Sequence, residues 1–591
     1  MSEHVYCQPC RTVRQQRFTG YGSLLPLFSR LLMLVAVVAV IGVLPWLSGQ
    51  DPALALLRAR SAEQTATAET LNAIRQSLGL DQGPLRLLGN WLSGLLRGDA
   101  GTSWISGRPV LPGMLQATGV SLTLMASSAL VAFTLALSLC LAPFMRGLKG
   151  ERQRTAGVLA ALFTTLPEFL LASLLLVVGA VWLRWFPPYG WQGLHYAILP
   201  SLALGLPAGG YLGKIFCDAL NATFREHWLV TWHVAGIARR HIAAAVLKRT
   251  LPVTLPLAGL VMVSLTGGAI AVEKVFAIPG LGRATLGAAA AQDLPALQTG
   301  LLILLLIASL TGIAANAVRL VILRGALDSG AMPVPQQAPH AGRFAVWLPL
   351  LCLLLLAATL AAGLPRDAFS PSHLRLEAPS AALPFGADAM GRDVLARVAH
   401  GTLNTALQAL LVSLACLAIG LVTGLFPRLF TGPIEVTNAL PPVIAGLLVT
   451  ALYGPSETGA ALAVIAVSWA PLASHTAALV AEINAQPPVR LLPVLGVGAL
   501  RQRFFYVLPA LLGPLFRHAM LRVPGIALAL ASLGFLGLGA SPPAPEWGRV
   551  LAEGMAYLER APWGVMAPAA ALGVLAVLSV SLANLSLRPQ R

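Results

Sequence analysis

The chain has 591 residues, of which 57% are hydrophobic and 11% charged, and its mean hydropathy is +0.76. A soluble domain needs about 25% charged residues to solvate its surface, so a water-soluble globular fold is excluded. The net charge of +17 would suggest nucleic acid in a soluble protein. Here the basic residues stand between long apolar runs and form no single patch, which excludes that partner and points to a multi-spanning protein in contact with membrane lipid.

The N-terminal stretch carries a lone Cys-x-x-Cys, Cys7 and Cys10, with no second ligand pair and no strand-turn-helix context, so neither a metal site nor a redox role is expected. Cys140, Cys217, Cys352 and Cys416 lie in or beside apolar runs, where a cysteine serves as a small packing residue. Arg11, Arg14, Arg17 and Arg30 precede a first apolar run at 31–47. That run is read as a retained span with the N-terminus inside, although Ala53-Leu54-Ala55 faintly resembles a cleavage site. Further runs fall near 118–143, 156–183, 196–218, 250–272 and 296–323. After a Pro-rich stretch at 332–339 the pattern restarts near 345–364, 403–426, 438–453, 458–481, 507–540 and 562–587. The expected fold is an all-α membrane protein with about twelve transmembrane helices, six on each side of a linker. Its first half covers 1–324 and holds a long outer segment at about 49–117; the cytoplasmic linker is 325–343 and the second half 344–591.

The charges test this topology. Segments placed inside hold 25 Lys/Arg and 7 Asp/Glu, those placed outside hold 15 of each, and Glu168 falls within a span. The excess of basic residues inside places both termini in the cytoplasm. The +17 thus divides into +18 inside, zero outside and −1 at Glu168.

The halves repeat one plan: a first span, a long outer segment, then five spans with a basic inner segment before the fifth. Residues 225–240 form that segment in the first half and 490–503 in the second. Their central glycines, Gly236 and Gly496, are 260 residues apart. Glycine suits a point where one helix ends left-handed and another begins at an angle. A short helix on the inner face is a natural docking element for a soluble partner.

Ordered strings make the likeness specific. The first half carries Leu78-Gly79-Leu80-Asp81-Gln82, Leu96-Arg97-Gly98-Asp99, Ser106-Gly107-Arg108-Pro109-Val110, Leu199-Pro200-Ser201-Leu202-Ala203-Leu204-Gly205, and Val272-Glu273-Lys274-Val275-Phe276 before Pro279-Gly280-Leu281-Gly282. The second carries Pro384-Phe385-Gly386-Ala387-Asp388, Gly391-Arg392-Asp393-Val394-Leu395, Ser532-Leu533-Gly534-Phe535-Leu536-Gly537-Leu538-Gly539, Glu546-Trp547-Gly548 and Ala561-Pro562-Trp563. In these the chain resembles the permeases of binding-protein-dependent ABC importers of the dipeptide, oligopeptide and nickel type, with first and second permease fused as two parallel six-helix halves. The resemblance implies that the inner segments are coupling helices docking on an ATPase, and assigns that role to Glu226, Trp228, Ala235, Gly236, Arg239, Arg240, Gly496 and Arg501. Val230 and Arg490 depart from the family pattern, and Pro487, Pro488 and Pro493 are expected to break or shorten the second helix.

Glu168 is the one acid deep in a span. Such a residue costs about 3 kcal/mol on insertion scales, so it either lines the translocation path or is a structural acid at a Pro-distorted turn. His227, His233, His241, His475 and His518 have no spacing that joins three ligands. Asp388 and Asp393 are expected on an amphipathic outer-face helix before the eighth span. No phosphate-binding GxxxxGK[ST] occurs, and the four lysines, 149, 214, 248 and 274, offer no substitute for it. The chain is therefore expected to be a non-enzymatic inner-membrane component without catalytic residues or cofactors. The resemblance implies two ATP-binding subunits or one fused ATPase, a periplasmic or lipid-anchored binding protein, and peptides, nickel or small metal chelates as substrate. An ion-coupled secondary transporter is the alternative; parallel repeats and scarce intramembrane charge weigh against it.

Overall fold

The computed structural model describes residues 21–47, 53–54, 56–57, 67–77, 83–150, 163, 167–327, 344–438 and 440–585. The Cys7/Cys10 pair, the string at 78–82 and residues 328–343 of the linker lie outside these. Among the described residues the regular structure is helical, and the β pairings are two isolated bridges, Thr102 with Pro109 and Ala387 with Asp393.

The first half comprises α1 (Tyr21–Gly42), α2 (Leu44–Leu47), α3 (Ala68–Ser77), α4 (Pro84–Leu96), α5 (Val110–Leu148), α6 (Glu168–Leu175), α7 (Leu194–Phe224), α8 (His227–Val234), α9 (Arg239–Val275), α10 (Leu281–Ala290) and α11 (Leu294–Leu327). A π-helical segment, Leu176–Trp182, continues α6. The second half comprises α12 (Phe344–Gly363), α13 (Val394–Leu425), α14 (Pro427–Asn438), α15 (Pro442–Tyr453), α16 (Glu457–Ala485), α17 (Pro487–Leu491), α18 (Ala499–Gln502), α19 (Leu508–Leu536), α20 (Trp547–Met555) and α21 (Trp563–Leu585). A π-helical segment, Arg503–Val507, joins α18 to α19.

Each apolar run of the sequence carries helix. Among the described residues six helices are long and apolar enough to cross a membrane: Val110–Leu148, Leu294–Ala315, Val346–Gly363, Val394–Leu425, Glu457–Ala485 and Ala499–Leu536. The pair Leu429–Asn438 and Pro442–Tyr453, bent by 93°, makes a seventh if it is counted as one broken span. Leu31–Gly42, Glu168–Trp182 and Trp563–Leu578 are apolar but shorter. The helix α7 is diluted by Pro200, Pro207 and its glycines. The protein is thus an all-α membrane protein, with six or seven of the expected spans meeting the length and composition requirement on their own.

Glycines set how closely the spans pack. In lipid, helices gain no hydrophobic free energy by leaving the solvent for one another, so association rests on close van der Waals fit, which small residues permit. Gly205, Gly209 and Gly213 of α7 lie at four-residue spacing against α5. A Cβ at Gly205 would stand 2.7 Å from the Ser128 carbonyl oxygen, and one at Gly209 2.8 Å from that of Ala132. In the second half the glycines change sides: Gly420 and Gly424 of α13 receive Leu472, Ala473 and Thr476 of α16. Both halves therefore use the same pairing, second span on fourth. Between halves, the Phe169 and Phe535 rings stack with centroids 4.9 Å apart, and Lys274 Nζ donates to the Phe535 carbonyl oxygen at 3.0 Å.

Gly209→Leu forces α5 and α7 apart, with an expected loss of about 1–3 kcal/mol and a lower unfolding midpoint in detergent. Gly287→Ala, whose Cβ would meet nothing within 4 Å, leaves the midpoint unchanged. Equal midpoints for the two variants would remove the close-packing account.

Candidate functional site

The two inner segments fold into the same turn. The helix α8 ends at Ala235, its C-cap, and Gly236 follows at φ 70°. Gly236 N–H then donates to the His233 carbonyl oxygen at 3.1 Å and Ile237 N–H to that of Trp232 at 3.1 Å. In the second half Gly496 stands at φ 78°, with Gly496 N–H on the Pro493 carbonyl oxygen at 3.1 Å and Val497 N–H on that of Leu492 at 3.0 Å. Both are helix terminations closed by a left-handed glycine, followed by an apolar residue whose amide reaches back five positions. The prolines act as expected on length: α17 has five residues. Pro487 and Pro488 open it, where a missing N–H leaves nothing unsatisfied, and Pro493 follows its end.

Both turns are open on one side. A Cβ on Gly236 or Gly496 would meet nothing within 4 Å. Around them Val230, Val234, Leu491, Val494 and Leu495 are exposed. Arg239 and Arg240 open α9 and Arg501 lies in α18, where the positive end of the helix dipole disfavours a cation by about 0.3–1 kcal/mol. All three are exposed.

Glu226 and Trp228 face the protein instead. Trp228 Nε1 donates to Glu226 Oε2 at 2.6 Å, and Arg249 Nε of α9 donates to Glu226 Oε1 at 2.9 Å. Trp228 meets Trp232 edge-on with centroids 5.0 Å apart. Leu229 is buried with Ile242 and Val246 of α9 and with Leu148 and Cys140 of α5. His233 ties the same turn to α5, its Nε2 lying 3.3 Å from the Leu148 carbonyl oxygen. These residues brace α8 against two long helices, and the exposed set presents its other face.

Glu168 opens α6 directly after Pro167, half-buried, with its carboxyl beside Gly268 of α9. Its neighbour Phe169 makes the stack on Phe535, so Glu168 sits next to the seam between the halves.

Two buried carboxylates were quoted in the sequence strings without a role. Glu273, fully buried, accepts from Ser121 Oγ at 2.5 Å and from Arg283 N–H at 2.9 Å, while Leu281 N–H donates to Ser121 Oγ at 2.8 Å. This fixes the start of α10. In the second half Glu546 is the N-cap of α20, accepting from Gly548 N–H at 3.1 Å. The halves solve one problem, anchoring the helix after the fifth span, with carboxylates from different positions in the repeat. A glycine pressed against each is the signal: Gly280 lies on Glu273 and Gly534 on Glu546.

The segment holding Asp388 and Asp393 is not the expected amphipathic helix. It is a hydrogen-bonded loop, and helix begins only at Val394. The reason is local: Gly386 and Gly391 take φ 68° and 81°, and both aspartates are used to fasten the loop. Asp393 caps α13, accepting from Leu395 N–H at 2.8 Å and Ala396 N–H at 3.3 Å, and pairs with Arg366 at 3.0 Å. Asp388 Oδ2 accepts from Arg392 Nε and Arg397 Nη1, both at 2.7 Å. Glu553 Oε2 of α20 accepts from Arg392 Nη2 and Arg397 Nη1, both at 2.8 Å. Burial would raise the Asp388 pKa, but the Arg392 N–H, the Arg397 charge, the Met390 N–H and the Arg392 charge together hold it below the usual carboxylate range.

Two helical bundles with matched glycine turns and anchored loops define a tandem-repeat, all-α membrane protein. The chain belongs to the binding-protein-dependent transport system inner membrane component family, whose model matches residues 134–326 and 402–589. It is 35% identical over 226 residues to the di/tripeptide transport system permease protein DppC of Pseudomonas aeruginosa, covering 36% of this chain and 73% of that protein. It is 36% identical over 232 residues to the dipeptide transport system permease protein DppC of Escherichia coli K12, covering 38% and 77%. A putative peptide transport system permease protein of Brucella abortus is 30% identical over 272 residues, covering 43% and 82%. Each relative matches less than half of this chain but most of itself. The protein is a fused two-permease subunit of an ABC importer and a multi-pass inner-membrane protein.

The depressed Asp388 pKa stabilises the folded loop above the ordinary aspartate pKa of about 3.9, and that contribution is lost as pH falls through the lower folded value. Amide protection factors across 383–397, which are exchange rates referred to the intrinsic rate at each pH, are expected to fall on acidification below about pH 4. In Asp388→Asn protection should already be low at neutral pH and nearly flat with pH. A variant that keeps the wild-type profile would show that the loop does not depend on this carboxylate.

Proposed function

We propose that this chain forms the whole translocation path of an ATP-driven importer for short peptides, with two ATPase domains docking at the Gly236 and Gly496 turns. One observation carries the reading: two turns 260 residues apart share φ, hydrogen-bond pattern and an open face lined by exposed apolar residues. A monomer gains nothing by exposing Val234, Val494 and Leu495, whereas a docking surface does. Arg239, Arg240 and Arg501, placed against their own helix dipoles, gain most from acidic groups on a partner. Nucleotide-driven approach and separation of the ATPase domains would then move the two turns and switch the path between outward and inward access.

Twelve spans with cytoplasmic termini, halves at 1–324 and 344–591 and a linker at 325–343 complete the proposal. So does an extracytoplasmic or lipid-tethered binding protein that delivers substrate. Peptides are favoured over nickel or metal chelates because relatives matched over most of their length carry peptide transport names. The ATPases are two subunits or one fused chain.

A non-glycine residue at a left-handed position costs roughly 1–2 kcal/mol, asparagine less than others. Gly236→Trp and Gly496→Trp should therefore weaken ATPase co-purification by about tenfold or more, 1.4 kcal/mol being tenfold, with normal membrane insertion. Gly236→Asn should retain most of it. Unchanged co-purification in both tryptophan variants refutes the docking role, and uptake driven by a proton or sodium gradient without any ATPase refutes the importer reading.

Glu168, beside the seam, is proposed to line the path. Glu168→Gln should slow uptake while leaving ATPase association intact; uptake equal to wild type would remove Glu168 from the route.

A further inference from the structure

The Asp388 network forms the floor of a cavity of about 440 Å³, within the range of small-molecule sites. Its lining is largely apolar and includes Leu376, Met390, Pro543, Val550 and Tyr557. Leu376 is held at φ 57°, a strained conformation for leucine of the kind that gathers at binding sites. Charge is confined to the floor, where Asp388, Arg392, Arg397 and Glu553 meet.

The floor is short of hydrogen-bond acceptors. Four guanidinium contacts converge on two oxygens, Asp388 Oδ2 and Glu553 Oε2. Arg549, outside the lining, holds Glu553 Oε1 at 3.2 Å and also faces the buried Glu546 carboxylate. Arg397 is fully buried, and its Nε and Nη2 have no hydrogen-bond partner. Arg392 spends Nε and Nη2 on the two carboxylates. At the rim Arg375 donates to the Tyr557 hydroxyl at 2.8 Å and stands over its ring. The lining itself balances two guanidiniums with two carboxylates, but it leaves Arg397 Nε and Nη2 without acceptors, and unanswered guanidinium donors of this kind are the natural partner of a further carboxylate.

The cavity faces away from the glycine turns. Gln408 of α13 donates to the Glu457 carbonyl oxygen at the start of α16 at 3.0 Å, and Gly424 lies on Thr476, so the two helices run parallel. Since α16 leads at its far end into α17 and Gly496, the first turn of α13, which holds Arg397, is at the opposite face.

We propose that this cavity is a receiving site for short peptides on the extracytoplasmic face, binding the C-terminal carboxylate over Arg392 and Arg397 and an apolar terminal side chain against Leu376, Met390 and Tyr557. This rests on the peptide-importer reading. The wall chemistry selects a carboxylate attached to an apolar group; the α-amino group makes no required contact.

The test is calorimetric titration of the full chain in nanodiscs, without binding protein, using alanyl-phenylalanine, its N-acetyl derivative and its C-terminal amide. The acid and the N-acetyl acid should bind saturably and the amide at least tenfold more weakly. Ala389→Trp and Met390→Trp, which fill the mouth and leave the ion pairs in place, should abolish binding with an unchanged unfolding midpoint. Equal binding of acid and amide, or binding insensitive to both tryptophan variants, overturns the site. Absence of any peptide titration also overturns it, including where Ala389→Trp instead weakens capture of the binding protein, because the occupant is then a protein side chain. ATPase-dependent peptide uptake in reconstituted vesicles, measured alongside, reports on the importer reading separately: uptake with no titratable site sinks the cavity proposal alone.

Discussion

A backbone amide inside hydrocarbon has no water to bond, so it must be paired within its own segment. That requirement turns every apolar run into helix and makes each helix end a problem to be solved. The solutions are where this protein's specific features lie. Gly236 and Gly496 close helix ends with left-handed turns, Asp393 and Glu546 cap helix starts with carboxylates, and Glu273 reaches from the end of α9 to the amide of Arg283. Function gathers at these places because only there does the chain present polar groups, bend sharply and meet water.

The same requirement explains the small residues. Helices already satisfied internally have little to hold them together in lipid, and the Gly205, Gly209 and Gly213 stripe permits the backbone approach that supplies contact. The second half reaches the same pairing with Gly420 and Gly424 on the opposite partner. A repeat can thus conserve a helix-helix distance while moving the glycine that permits it. Buried carboxylates behave alike, since Glu273 and Glu546 anchor corresponding helices from non-corresponding positions.

The two ends of the molecule handle charge differently. At the glycine turns Arg239, Arg240 and Arg501 are exposed, while Glu226 is drawn inward by Trp228 and Arg249. One face of α8 is braced by the protein and the other is exposed. At the opposite end arginine and carboxylate are knitted together into a floor that leaves Arg397 Nε and Nη2 without acceptors. A surface that leaves cations exposed suits reversible docking, and a walled floor suits a small ligand.

Much of this was legible in the sequence. Hydropathy fixes where helices form because lipid permits little else, and a glycine at the same place in two basic segments identifies the turns, since few other residues tolerate positive φ. The role of side chains around those turns was not legible. Glu226 and Trp228 read as partner contacts, and the sequence gives no sign that Arg249, 23 residues away, engages the same carboxylate. Asp388 and Asp393 read as a helix face because their spacing permits one. The loop they form depends on Arg366, Arg397 and Glu553, the last 165 positions beyond Asp388. Local pattern determined which segments cross and where they turn, because those depend on the backbone and its immediate solvent. Which charges face a partner, a cavity or one another depends on residues brought from far along the chain, and only the tertiary structure decided that.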